Sequence, residues 1–281
     1  LASAATEPRL VVLGVPAHRT SISTTHAHRT PGAIREALAR YSTFSVEQGR
    51  DVAELPVLDA GDVVDPDFAE GEQRVREAVA ALPSSDLLLA LGGDNSITCS
   101  VMTAMFGADL PRAGLVTLDA HFDLRDGISN GSPVRRLVEA GLPGDRVVQI
   151  GIADWANSAE YAARAKDLGI AVITRGALRR RPIEDAMAEA LEIAGRGAGG
   201  IYVDIDVDVC DRSVVPACPA ARPGGISADE LMRAALTAAG DPRVRGIDIT
   251  EIDATSDTPD GRTVRLAALL VLQCALGLLS R

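Results

Sequence analysis

The sequence predicts an α/β protein with three layers, α-β-α, built on a mostly parallel sheet of about eight strands. Apolar runs rich in Val, Ile and Leu alternate with stretches of helical periodicity almost throughout, an order that implies parallel strands joined by right-handed crossovers. Hydrophobic residues make up 47% of the chain and aromatic residues only 3%, as expected for an aliphatic sheet covered on both faces. No linker or repeat divides the 281 residues, so a single catalytic domain over residues 1–281 is predicted.

Strands are expected at the apolar runs and helices at the amphipathic stretches between them. The predicted strands are Leu10–Gly14, Val57–Asp59, Leu87–Leu91, Leu115–Asp119, Val147–Gly151, Ala171–Thr174, Ile201–Val207 and Gly246–Glu251. The predicted helices are Pro31–Tyr41, Phe68–Leu82, Ser96–Phe106, Ser158–Leu168, Pro182–Ala194, Ser227–Ala239 and Val264–Leu279. Two helix starts carry clear signals, since Pro31 follows Thr30 in a first turn and Ser227 with Glu230 forms a capping box.

Composition narrows the class of partner and the compartment. The net charge of −11 argues against nucleic acid or an anionic membrane as a partner. Four cysteines without a CxxC pair indicate reduced thiols and a cytoplasmic protein. The apolar stretch Leu266–Leu279 is interrupted by Gln273 and is too short to span a bilayer, so a buried helix is expected. Residues Leu1–Pro8 do not resemble a signal peptide, and without an initiator Met the chain is expected to begin inside its gene product.

Two acidic segments lie at the ends of predicted strands. Asp119, His121 and Asp123 alternate directly after one strand, so their side chains are expected on one side of the extended chain. The segment Asp204–Asp208 repeats the pattern with three aspartates. Burying so many like charges without a cation would be too costly. A hydrolase that depends on metal ions is therefore predicted, and the oxygen-rich ligands favour a hard ion such as Mn²⁺.

Other strand ends carry polar residues in place of ordinary turns. Leu91 is followed by Gly-Gly-Asp94-Asn95-Ser96, and Glu251 follows Thr250. Because the carboxyl ends of parallel strands share one edge, we expect these residues to converge on the same pocket as the acidic segments.

Together these motifs resemble the ureohydrolase family of arginases, agmatinases and formimidoylglutamases. The resemblance covers nearly the whole chain and includes Gly14-Val-Pro16, Arg29–Arg35 and Pro223-Gly-Gly225. It implies an arginase-like fold, two Mn²⁺ ions, a homo-oligomer (trimer or hexamer) and hydrolysis of a C–N bond in a linear amidine.

The resemblance also implies a set of metal ligands. The first metal would be held by Asn95, Asp119, Asp123 and Asp206, and the second by Asp119, His121, Asp206 and Asp208. Relatives usually carry His where this chain has Asn95, so the first site is expected to be weak or empty. Asn95 as a simple turn or cap residue is the alternative. Asp204, where relatives usually carry Ser, is kept as a possible supporting group beside the ligands.

Catalytic and substrate roles follow from the same resemblance. Asp123 would receive a proton from the attacking water and pass it to the departing nitrogen, while Glu251 would hold the cationic C–N group. The segment His121–Arg125 and the following Ser129–Val134 look most like formimidoylglutamases. Arg125, Asn130 and Ser132 are the predicted substrate-binding residues. For the carboxylates of the substrate, Arg135 and Arg136 are alternatives to Arg125, which could instead pair with a nearby Asp.

The predicted reaction is hydrolysis of N-formimidoyl-L-glutamate to L-glutamate and formamide, a step of histidine degradation. A guanidino-acid or agmatine-type amidinohydrolase that releases urea is the alternative within the enzyme class. An alternative of another class is a non-catalytic family member with an impaired metal site, acting as a binding or assembly protein. Loss of the usual His at Asn95 motivates that last hypothesis, and retention of the other ligands argues against it.

Overall fold

The computed structural model describes residues 7–281, so most of the segment Leu1–Pro8 lies outside the described residues. The strands are β1 Leu10–Val15, β2 Phe44–Ser45, β3 Arg50–Asp51, β4 Val57–Asp62, β5 Leu87–Gly92, β6 Gly114–Leu118, β7 Val147–Ile152, β8 Ala171–Thr174, β9 Ile201–Asp206 and β10 Val244–Thr250. The α-helices are α1 Thr30–Leu38, α2 Phe68–Ala80, α3 Ile97–Phe106, α4 Pro133–Glu139, α5 Ala159–Asp167, α6 Arg175–Leu178, α7 Ile183–Ala194, α8 Ala228–Gly240 and α9 Arg262–Leu279.

Eight strands form one sheet in the order β4-β1-β5-β10-β9-β6-β7-β8. Every neighbouring pair in this sheet is parallel. Strands β1, β5, β6, β7 and β9 are buried at every position, as expected for strands covered by helices on both faces. The predicted α/β fold with about eight strands is therefore confirmed.

Helices cover the two faces of the sheet through two separate apolar clusters. One cluster includes side chains of α1, α7, α8 and α9, and the other includes side chains of α2, α3, α4 and α5. The same strands contribute to both clusters with alternating residues: Leu87 and Leu89 lie in the first, Leu88 and Ala90 in the second. This alternation gives the three layers that the aliphatic composition predicts.

The short elements are the ones that sequence periodicity missed. Helix α4 has seven residues and α6 has four, which is too few for a helical repeat to be recognised. The antiparallel pair β2–β3 has two residues in each strand. At the sheet edge, β4 is exposed at every position and carries four polar or small residues, Asp59–Asp62, within its span.

Helix α9 is long and apolar enough, by length and composition, to cross a membrane. However, 61% of it is buried inside the protein, where Leu266, Leu270, Cys274 and Leu278 join the same apolar cluster as α1 and α8. A helix whose apolar face is already covered in this way is best explained as a core element of the fold.

The sheet order places the site. Strands β5, β10, β9 and β6 are neighbours in the middle of the sheet, and all four run in the same direction. The residues that follow them are Asn95, Glu251, Asp208 and Asp119. Residues that are far apart in the sequence therefore meet at one edge, where open α/β sheets bind ligands.

Candidate metal centre and active site

A cavity of about 370 Å³ opens at the carboxyl edge of the sheet. Most of the predicted site residues line it: His121, Asp123, Arg125, Asn130, Asp206, Asp208 and Glu251. Asp119 and Asn95 are buried and touch residues of its lining. Ser132 is also buried, but it does not line this cavity.

Asp119, His121 and Asp208 form the tightest group. One potential ligand atom from each lies within 4.8 Å of the others, and Nδ1 of His121 is 2.7 Å from Oδ2 of Asp208 and 3.5 Å from Oδ1 of Asp119. Backbone amides hold the acids in place, since Oδ1 of Asp208 accepts from the amide of Ala120 at 2.9 Å. Oδ2 of Asp119 is buried without a hydrogen-bond partner. A free carboxylate oxygen inside an acidic cluster fits a bound cation.

Crowding of these acids changes their protonation. Burial, together with the charge of Asp208, raises the pKa of Asp119 to about 7. Burial and the charges of neighbouring aspartates raise the pKa values of Asp123 and Asp206 well above the usual range. Without a cation, some of these carboxyl groups are therefore protonated at neutral pH.

The pKa values of His121 and Glu251 are raised for related reasons. Burial opposes a charged imidazole at His121, but the negative charge of Asp208 outweighs it and raises the pKa of His121 to about 11. Burial, followed by the charge of Asp94, raises the pKa of Glu251 to about 8. The metal-free site thus holds protons that a cation would have to displace.

We expect Mn²⁺ to bind more tightly at about pH 8 than at about pH 6, with release of protons, because its ligands must be deprotonated. In the folded protein the pKa values of Asp119 and Glu251 are raised to about 7 and about 8. The contribution of these two groups to folding stability is therefore fully present below their unfolded-state pKa values and is lost as pH rises through their folded-state pKa values. Metal-free protein should consequently melt at a lower temperature at the higher pH, and Mn²⁺ should restore the loss. Calorimetric titration in two buffers and thermal melts measure both effects, and a pH-independent affinity would contradict the expectation.

The amide oxygen of Asn95, which is a predicted metal ligand, is engaged in hydrogen bonds within the protein. That oxygen accepts hydrogen bonds from the hydroxyls of Thr98 at 2.9 Å and Thr250 at 3.0 Å. Its amide nitrogen donates to Oδ2 of Asp123 at 2.7 Å, and its backbone N–H donates to Oε1 of Glu251 at 2.8 Å. Asn95 therefore holds two acids of the site, and a cation coordinated by its oxygen would have to displace existing hydrogen bonds.

The backbone is strained at the two predicted catalytic residues. Asp123 has φ 52° and Glu251 has φ 66°, a left-handed conformation that residues other than Gly rarely adopt. Glu251 is held from both sides, because its backbone N–H donates to Gly93 and its Oε1 accepts from Nδ2 of Asn130. Strain of this kind concentrates at functional sites, where the surrounding structure enforces it.

The predicted substrate-binding residues differ in their surroundings. Asn130 lines the cavity, but its amide links Glu251 to the backbone of Ile22. The hydroxyl of Ser132 closes a turn by donating to the carbonyl of Ser129 at 2.8 Å and accepting from its amide. Ser132 therefore has a structural environment away from the cavity, and its position in the motif gave no sign of this.

Arg125 is exposed and lines the cavity, with its guanidinium carbon 5.8 Å from the centre of the Tyr161 ring. Among residues 7–281 it forms no ion pair, so the alternative pairing with a nearby Asp is not found. Arg135 and Arg136 bind Glu139 and Glu72 instead and do not line the cavity.

A buried polar group that includes Asp204 and Asp248 lies beneath the site; the sequence analysis kept Asp204 as a possible supporting group but did not single out Asp248. Asp204 is fully buried, neither of its carboxylate oxygens has a hydrogen-bond partner, and it is opposite Asp248 in the parallel pairing of β9 and β10. Oδ2 of Asp248 accepts from the hydroxyl of Tyr202 at 2.9 Å, and it also lies 2.9 Å from the hydroxyl oxygen of Thr98, where it competes with Asn95 for the single proton of that hydroxyl. Burial and the charge of Asp248 raise the pKa of Asp204 well above its usual range. The pattern of the segment placed Asp204 on the site face, but it could not reveal the partner strand.

Comparison with known proteins decides the family, since the model of the arginase family matches residues 8–277. The chain belongs to the arginase family. This confirms the resemblance drawn from the strand-end motifs.

The relatives of this arginase-family chain include formimidoylglutamases and arginases. The formimidoylglutamases of Halalkalibacterium halodurans and Bacillus subtilis are each 35% identical to it, over 93% and 95% of this chain and 84% and 86% of their own lengths. A mitochondrial arginase of Medicago truncatula is 32% identical over 94% of this chain and 80% of its own length. The crystal structure of the Bacillus subtilis formimidoylglutamase superposes with a TM-score of 0.89 and 34% identity, covering 96% of this chain and 86% of that one.

Proposed function

We propose that this chain is a formimidoylglutamase, a metal-dependent amidinohydrolase that converts N-formimidoyl-L-glutamate and water to L-glutamate and formamide. The observation that carries the proposal is the largely buried group of Asp119, His121 and Asp208 beside a cavity that Asp123 and Glu251 also line. Formimidoylglutamases at 35% identity over more than nine tenths of the chain support this choice of substrate.

Two Mn²⁺ ions would be held by the carboxylates and the single imidazole of the site. Asp119, His121, Asp206 and Asp208 would hold the stronger one, and Asp119, Asp123 and Asp206, with Asn95, the weaker one. The donor set fits a hard divalent ion, because it is rich in oxygen, contains no thiolate and leaves Oδ2 of Asp119 without a partner. When bound, the ions supply an activated water nucleophile and offset the buried negative charge.

The other roles belong to side chains of the chain itself. Asp123 accepts the proton of the attacking water and delivers it to the departing nitrogen. Glu251 binds the cationic amidine through a charge-assisted hydrogen bond, and Asn130 holds Glu251 in position with a 2.8 Å hydrogen bond. Arg125 binds a carboxylate of the substrate at the exposed end of the cavity. Ser132 is left out of this substrate site because its hydroxyl is used within its own turn.

A product assay tests the proposal. Protein loaded with Mn²⁺ is incubated with N-formimidoyl-L-glutamate, arginine, agmatine and a short guanidino acid, and formamide, ammonia and urea are measured. Formamide release from the first substrate supports the proposal. Urea release from a guanidino substrate would favour the second candidate, which the 32% identity to a plant arginase keeps open. No product from any substrate, with no Mn²⁺ binding, would favour a non-catalytic binding or assembly protein.

Replacing Asn95 with histidine should strengthen the first metal site without changing the product. Imidazole is a stronger ligand than an amide oxygen that already accepts two hydroxyl hydrogen bonds. We expect the wild-type protein to bind one Mn²⁺ tightly and a second weakly, and Asn95→His to bind the second about 10-fold more tightly or better. Calorimetry and metal content after desalting measure the difference. Two equally tight sites in the wild type would refute the weak first site.

We propose one catalytic domain over residues 1–281 that assembles as a homo-oligomer, a trimer or hexamer, in the cytoplasm, with a small amidine acid as its substrate and neither nucleic acid nor membrane as a partner. The four cysteines are buried as free thiols, which supports a reducing compartment. Light scattering coupled to size exclusion measures the oligomeric state.

A further inference from the structure

The active-site cavity has two ends of opposite charge. One part of the cavity is lined by four buried carboxylates, those of Asp123, Asp206, Asp208 and Glu251. Its exposed lining includes two guanidinium groups, those of Arg125 and Arg222. A substrate that carries a cationic amidine at one end and anionic groups elsewhere matches this distribution of charge.

Arg125 is held in place by contacts that do not include an acidic side chain among residues 7–281. Its side chain crosses Gly131 so closely that a Cβ at that position would lie 2.7 Å from Cδ of Arg125. Its guanidinium also lies 5.8 Å from the centre of the Tyr161 ring, a favourable arrangement for a cation. The absence of a carboxylate partner among residues 7–281 leaves its hydrogen-bond donors free for a ligand.

Arg222 comes from a different loop, directly before the motif Pro223-Gly-Gly225, and the sequence analysis did not single it out. The loop is anchored, because the carbonyl of Arg222 accepts from the amide of Arg212 at 3.1 Å. The guanidinium donates one hydrogen bond, from Nη1 to the carbonyl of Trp155 at 3.1 Å. Within the described part of the chain it has no acidic partner, so its positive charge faces the cavity without neutralisation.

We propose that Arg222 is a specificity-determining residue, which together with Arg125 forms a two-cation rim that selects amidines bearing two carboxylates. This inference rests on the proposed function, because it takes the amidine to bind at the acidic end. The two carboxylates of a formimidoyl dicarboxylic acid then lie toward the rim, where each meets one guanidinium. Agmatine carries no carboxylate and arginine carries only one, balanced by an ammonium group, so the rim disfavours both.

Substrate analogues combined with Arg222→Met test the rim. The substrates are N-formimidoyl-L-glutamate, N-formimidoyl-L-glutamine, which lacks the side-chain carboxylate, and N-formimidoyl-4-aminobutyrate, which lacks the α-carboxylate. We expect Arg222→Met to raise KM for the dicarboxylate about 10–100-fold with little change in kcat, and Arg222→Lys to recover part of the loss. For one of the two analogues the penalty should largely disappear, which identifies the carboxylate that Arg222 binds. An unchanged KM, or an equal penalty on all three substrates, would overturn the inference.

A binding measurement separates this inference from the proposed function. Glutarate, a simple dicarboxylate, is titrated into the Mn²⁺-loaded wild type and variants, with butyrate as the monocarboxylate comparison. If glutarate binding depends on Arg222 but no formimidoyl substrate is hydrolysed, the proposed function is wrong and the two-cation rim is supported. If the wild type hydrolyses formimidoyl substrates and the Arg222 substitutions change neither hydrolysis nor glutarate binding, the proposed function is supported and the two-cation rim is wrong. Arg180→Met is the matched control, because Arg180 is exposed but does not line the cavity.

Discussion

Asp119→Asn is expected to abolish productive Mn²⁺ binding, lowering metal affinity at least about 100-fold, since changes to groups that merely support ligands already cost about 10–100-fold. Activity should fall by about 1,000-fold or more, because the loss of one transition-state donor alone costs about 100–1,000-fold. The reason is structural: Asp119 is fully buried, lies beside His121 and Asp208, and has one carboxylate oxygen with no other partner. Metal content and kcat/KM measure both effects.

The metal-free Asp119→Asn protein should be at least as stable as metal-free wild type. Burial and the charge of Asp208 raise the pKa of Asp119, so this carboxylate is disfavoured until a cation is present. Mn²⁺ should therefore raise the melting temperature of the wild type but not that of the variant. Asp154→Asn, which changes an exposed acid, is the control. If Asp119→Asn kept full Mn²⁺ affinity, the proposed metal centre would be wrong.

Asp123→Asn should lower kcat by about 100–10,000-fold, the usual contribution of a proton-transferring side chain, while KM changes little. Asparagine tolerates the left-handed backbone at this position, φ 52°, and its amide oxygen can still accept the hydrogen bond that Asn95 donates. The substitution therefore removes the proton acceptor with little disturbance of the fold. Steady-state kinetics over a range of pH, with Mn²⁺ saturating, measure the loss.

Retention of both Mn²⁺ ions by Asp123→Asn would show that the activity loss comes from proton transfer. Asp123 is a proposed ligand of the weaker ion and not of the tighter one, so loss of the weaker ion alone would instead show an effect on metal binding. Asp126→Asn is the matched control, since Asp126 is exposed on the same loop and pairs with Arg164. Wild-type kcat in Asp123→Asn would rule out the role proposed for Asp123.

Local sequence was enough to predict the sheet and the location of the site. The run Leu87–Leu91 is short and lies between turn residues, which favours a buried strand, and polar residues directly after several such runs point to one edge. The residues that follow neighbouring strands then meet for topological reasons. This is why Asp123, Asp206, Asp208 and Glu251 were found without knowledge of the strand order.

Side-chain direction could not be predicted in the same way. Asn95 was a predicted ligand because it stands where relatives usually carry His. Its amide is oriented by Thr250 and Asp123, which lie far away in the sequence, so that orientation could not be predicted. Ser132 is part of a motif that also includes Asn130, yet only Asn130 reaches the cavity. Arg222 follows no strand directly and belongs to no acidic motif; it precedes the motif Pro223-Gly-Gly225, which gave no sign that the Arg222 side chain reaches the cavity. Each of these outcomes depends on contacts between distant segments.

The position of β10 has a consequence for how the chain reaches its native state. This strand comes last in the sequence but lies between β5 and β9, where it joins the group β4-β1-β5 to the group β9-β6-β7-β8. A nascent chain that ends before Val244 cannot form a continuous sheet, and two half-sheets with unpaired edges remain exposed to aggregation. Synthesis of the final segment therefore completes the sheet and brings Glu251 to the cavity in the same event.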